Sequence, residues 1–165
     1  MWQAFVLAFA ITAAIDDALW RKIPRFLTVS GLLVGLAYHG VYGGFWSALA
    51  TAGLGFGLGL GLYELGAIGG GDVKLVAAMG AILGFQPWVV ALEVAIGVAA
   101  VMALAGILYR GIFLQTLRNM GRLLKHFAVN GLRPHPDIQV NNAGLLRVPF
   151  GVAAALGTIC TVVIR

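Results

Sequence analysis

The chain has 165 residues, of which 61% are hydrophobic and 10% charged, with a formal net charge of +5. A soluble domain carries charge on about a quarter of its residues. The composition therefore excludes a water-covered enzyme, and it leaves no soluble basic domain for nucleic acid. The single cysteine, Cys160, excludes a disulfide framework within the chain and a cysteine-rich zinc site.

Helices are the only open structure that crosses lipid without leaving backbone groups unpaired, and each crossing needs about 20 residues. The apolar pattern predicts six spans, at about Trp2 to Trp20, Phe26 to Tyr38, Phe45 to Leu65, Asp72 to Phe85, Trp88 to Tyr109 and Leu145 to Ile164. The second and fourth are short for full crossings. No basic residue precedes Phe9, so the first span reads as retained rather than cleaved. In the third span Gly53, Gly57 and Gly61 form one stripe at helical spacing, and Gly55 and Gly59 form another. Such stripes allow close helix packing, or a mobile contact that admits a substrate.

From Gly111 to Ala128 the pattern changes. Phe113, Leu117, Met120, Leu124 and Phe127 recur at steps of four and three, while Arg118, Arg122 and Lys125 take another face. This predicts an amphipathic helix in the membrane interface, either an anchor or a surface that receives a membrane-bound partner. A polar loop with Gly131, Pro134, Pro136 and Asp137 follows, so that helix and loop cover 111–143. The chain is thus expected to form one all-α polytopic membrane domain over 1–165, with about six transmembrane helices and a cytoplasmic interfacial helix.

With the N-terminus outside, Arg21, Lys22, Arg25, Lys74, Arg110, Arg118, Arg122, Lys125, Arg133 and Arg147 fall on one side, and only Arg165 falls on the other. The positive-inside rule makes the first side the cytoplasm. His126 and His135 read as solvated loop residues, and no metal site is expected from them. His39 is placed near an outer loop.

The acids carry the functional signal, because a carboxylate inside a membrane domain is costly. Glu93, in the outer half of the fifth span, reads as a buried polar contact. Glu64 could tune a site or pair with a nearby base. Asp16, Asp17 and Asp72 all fall at the cytoplasmic edge. Asp16 and Asp17 point about 100° apart on a helix and do not face each other, so a working pair combines Asp72 with one of them. Two facing carboxylates cannot both ionise easily. The charged one can take a proton from water while the protonated one polarises a peptide carbonyl, which hydrolyses an amide without a metal or other cofactor. Asp72 opens a helix and Asp17 sits near the end of one, so helix dipoles favour Asp72 as the anion and Asp17 as the proton holder. Gly69, Gly70 and Gly71 beside Asp72 permit close approach of another backbone.

These residues resemble the type IV prepilin peptidases, membrane aspartyl proteases of the GxGD class. The family's Gly-x-Gly-Asp-x-Lys motif matches Gly69, Gly71, Asp72 and Lys74. Its other motif has an aspartate seven residues before a proline, as Asp17 stands before Ile23-Pro24. The resemblance thereby selects Asp17 over Asp16. Val148-Pro149-Phe150-Gly151 is similar to the start of the family's last helix. The resemblance implies a prepilin substrate, cut at its leader on the cytoplasmic face of the bacterial inner membrane. Lys74 would bind a carboxylate, orient the loop or only anchor topology. Arg25 stands where the family often has Asn or Asp. No cysteine-rich domain of the kind associated with N-methylation is present, so the chain resembles the peptidase-only form serving Flp/Tad pili. The alternatives are a GxGD protease for preflagellin or another substrate, a small transporter or channel subunit, and an inactive scaffold.

Overall fold

The computed structural model describes residues 1–131, 133, 146 and 148–164. Among them are seven helices and no strand: α1 (Trp2–Trp20), α2 (Arg25–Val41), α3 (Phe45–Glu64), α4 (Gly70–Leu83), α5 (Phe85–Arg110), α6 (Phe113–Asn130) and α7 (Phe150–Ile164). Each apolar segment becomes a helix, and α6 is the predicted amphipathic one. By length and composition α1, α3 and α5 can cross a membrane, while α2 and α7 are shorter apolar helices. Most of the segment read as a polar loop, with His135 and Asp137, lies outside the described residues, as do Arg147 and Arg165.

The helix ends follow local chemistry. Pro24 is the extended N-cap of α2, with φ −60° and ψ 136°, so the chain cannot run helically from α1 into α2. After α3, Gly66 takes φ 72°, and the Gly66 and Ala67 N–H groups return to the Tyr63 and Leu62 carbonyls. That left-handed turn closes the helix and leads into Gly69. The start of α5 differs from the expected Trp88. It begins at Phe85, because Pro87 falls in the first turn, where no intrahelical N–H is lost.

The most enclosed helix is α4, with Val73 and every residue from Leu75 to Ile82 buried. It packs chiefly against α3 and α2, while α7 packs chiefly against α5 and α1. Two groups of helices result, α2–α3–α4 and α1–α5–α7. They meet in a core that includes Phe9, Ala13, Leu75, Met79, Trp88 and Ala154. The Trp88 Nε1–H donates to the Val76 carbonyl at 3.1 Å, tying α5 to α4. At one end of the bundle Trp2 stacks on Tyr38 with centroids 3.6 Å apart, and the His39 Nε2 lies 3.2 Å from the Ile82 carbonyl oxygen. The basic residues Arg21, Lys22, Arg25, Lys74 and Arg110 occupy helix ends on the opposite side.

Two expectations are corrected. Only one glycine stripe of α3 is a packing surface. A Cβ on Gly55 would come within 2.9 Å of the Val76 carbonyl oxygen, and one on Gly59 within 3.0 Å of the Val73 Cα, whereas Gly53, Gly57 and Gly61 have nothing within 4 Å. Glu93 is not a buried contact. It is exposed on α5, because that helix turns only Trp88, Ala91 and Ala95 fully into the bundle.

Candidate active site

Asp72 is the third residue of α4. Its Oδ2 accepts the N–H of Gly69, the N-cap, at 3.1 Å, and its own N–H donates to the Gly69 carbonyl at 3.1 Å. A carboxylate at this position answers an N–H that has no intrahelical partner. The side chain is therefore set by its own four-residue turn.

Asp17 is held differently. It lies one turn from the end of α1 and is buried, 7% exposed. Its Oδ2 accepts the Gly151 N–H at 2.6 Å, from the first turn of α7. The Val152 N–H also acts on it. The fit leaves no room, since a Cβ on Gly151 would stand 2.7 Å from the Asp17 Cβ. The N-terminus of α7 thus faces Asp17 as the N-terminus of α4 faces Asp72. The expectation that helix ends separate the two carboxylates, with Asp17 alone disfavoured as an anion, loses its basis.

Both carboxylates line one cavity of about 420 Å³ and are close enough to feel each other's charge. Gly69, Gly70 and Gly71 form the wall on the α4 side, and Val148, Pro149 and Phe150 form the wall on the α7 side. The remaining wall is Arg21, Lys22 and Ile23 from the turn between α1 and α2. None of the three motif glycines has a positive φ, and a Cβ on Gly70 would meet only Tyr63, at 3.6 Å. Their effect is to keep this wall bare of side chains.

The structure separates the other predicted residues from this cavity. Lys74 is exposed, one turn past the cavity wall. Pro24 and Arg25 are exposed at the start of α2, Glu64 is exposed at the end of α3, and Asp16 is half-buried outside the lining. Among the described residues, no group of three or more His, Cys, Asp or Glu is placed to hold a metal ion.

Such a cavity, with two carboxylates on separate helices and bare backbone beside them, is suited to hold an extended peptide against an acid–base pair. The sequence profile of the type IV leader peptidase family matches residues 4–113, which include both aspartates and the glycine turn. The chain belongs to that family. No curated protein and no solved structure gave a match. As a family of peptidases, it makes this chain a leader-peptidase-like protease with apolar helices suited to a membrane.

Two parts of the site were not picked out from the sequence. Gly151 appeared only as part of a likeness at the start of the last helix, and nothing local marks it as the donor to Asp17. Arg21 and Lys22 were counted only as topology charges. Their position directly after the α1 terminus, four and five residues past Asp17, was the available signal. Arg21 also takes φ 51° and ψ 33°, the left-handed region, with its N–H returned to the Asp17 carbonyl at 3.0 Å. That conformation costs a non-glycine residue about 1–2 kcal/mol.

Proposed function

We propose that this protein is an aspartic endopeptidase that removes the leader from Flp-type prepilins at the cytoplasmic face of the bacterial inner membrane. The observation that carries the reading is the meeting of Asp17 and Asp72, from different helix groups, in one cavity walled by bare glycine backbone. With one proton shared between them, the carboxylate activates water, and the acid polarises the scissile carbonyl. Gly69 to Gly71 accept the substrate backbone, and the apolar helix of the prepilin lies in the bilayer beside the enzyme. In this reading α1 to α5 and α7 are six crossings, and α6 lies in the interface. The gathering of Arg21, Lys22, Arg25, Lys74 and Arg110 at the dyad end supports a cytoplasmic active site. The aromatic residues Trp2, Tyr38 and Trp46 at the other end suit the outer interface.

The test is co-expression with a Flp-type prepilin, following pilin size. Asp17→Asn and Asp72→Asn are each expected to lower processing by at least about a thousandfold, and Asp16→Asn to stay within about twofold of the parent. Full processing by Asp72→Asn ends the proposal. Cleavage of a preflagellin but no prepilin would retain the chemistry and change the substrate.

A further inference from the structure

Arg21 is the one non-glycine residue with a positive φ among the described residues. It occupies the C-cap of α1, a position where glycine takes the left-handed conformation freely. Strain of this kind persists where the surrounding structure holds it, and it clusters at functional sites. Here Arg21 stands exposed at the wall of the dyad cavity, four residues past Asp17 and within electrostatic reach of its carboxylate. The same residue's backbone N–H is bonded to the Asp17 carbonyl, so the turn holds the Arg21 backbone at the end of the helix that carries Asp17.

The surroundings of the two aspartates are unequal in charge-favouring groups. Facing Asp17 are Asp72 from α4 and Arg21 and Lys22 from the α1–α2 turn, with the Gly151 and Val152 N–H groups from α7. Asp72 receives the Gly69 N–H of its own turn. We infer that Arg21 is a positioning residue of the dyad: its cation, carried at the cavity wall by the left-handed turn, biases the shared proton onto Asp72 and leaves Asp17 as the base that activates water. This is the reverse of the assignment expected from helix ends, and it rests on the endopeptidase reading.

The arrangement makes different demands on charge and on shape. Arg21→Lys keeps the cation, Arg21→Gln keeps bulk and loses it, and Arg21→Gly loses both while relieving the backbone. Full-length protein in proteoliposomes, assayed with a purified Flp-type prepilin, separates these. In Arg21→Gln, kcat is expected to fall about tenfold with KM within about twofold, the split expected when a transition-state interaction is lost. The acidic limb of its pH–rate profile should move to higher pH, since losing a nearby cation disfavours the anion. Arg21→Lys should recover most of both. Arg21→Gly should match Arg21→Gln in rate while unfolding no more readily than the parent, a pattern that a merely structural role does not produce. A substrate-free readout accompanies the assay. The infrared band of the protonated carboxyl, assigned with Asp17→Asn and Asp72→Asn, should belong to Asp72 in the parent and shift at least in part to Asp17 in Arg21→Gln. An unmoved band and pH profile in Arg21→Gln, or an equal loss in Arg21→Lys, overturns the inference. If the parent cuts no prepilin, the endopeptidase reading falls, and the infrared titration still decides the role of Arg21.

Discussion

Asp17 and Asp72 face one cavity but are positioned by different means. Asp72 is set by a turn of four residues, closing on the N–H of Gly69 in its own helix. Asp17 is set by tertiary packing, with its carboxylate against Gly151, 134 residues away in sequence. The helix contacts next to them differ as well. In α3 and α4 the tight contacts lie behind Asp72. Gly55 and Gly59 of α3 and Gly80 of α4 bring the two backbones together without touching Asp72. Where α7 meets α1 the tight contact is the Asp17 side chain itself, while Gly157 brings α7 against Ala91 of α5 away from it. The contrast teaches that one half of the site tolerates local change and the other does not.

Variants that strike one side at a time can break this contrast. Gly151→Ala should have the largest effect. Its methyl would overlap the Asp17 side chain, so prepilin processing should fall about a hundredfold, with overpacking costing about 1–3 kcal/mol of stability. An active Gly151→Ala protein would show that Asp17 is not held as tightly as its surroundings imply. Gly59→Leu should come next, destabilising the fold by about 1–3 kcal/mol, whereas Gly57→Leu, facing open space, should stay within about 0.5 kcal/mol. Reversible unfolding of both in detergent checks the pair. Trp88→Phe removes the hydrogen bond to the Val76 carbonyl and should cost about 1 kcal/mol, with processing little changed. The smallest effect is expected from Gly69→Ala. Gly69 has φ −82° and ψ 154°, which alanine adopts, and its methyl would meet the Asp72 Oδ2 at 3.3 Å, a shift of a few tenths of an ångström. Processing should fall by less than about threefold. A loss as large as that of Gly151→Ala would mean that both aspartates are equally intolerant.

The same contrast explains what could be read before the structure. The Asp72 half is local, so the motif Gly69 to Lys74 announced it. The apolar segments gave the helices, because hydrocarbon leaves the backbone few choices. Periodicity identified both glycine stripes of α3 but could not say which faced α4, since that depends on how Val73 and Val76 of another helix approach. The misreading of Glu93 has the same origin, as a span's sequence does not reveal which of its faces the bundle covers. Pro87 suggested a boundary that the helix absorbs in its first turn. Gly151 was hidden for the strongest reason, because its importance exists only once α7 lies against α1.

The bond from Gly151 to Asp17 also has a consequence for the order of events during synthesis. Both aspartates and the glycine turn are made within the first half of the chain, and the family profile itself ends at residue 113. Yet Asp17 gains the Gly151 N–H only once α7 has been made. A nascent chain halted after α5 would carry both acids without the helix whose N–H Asp17 accepts.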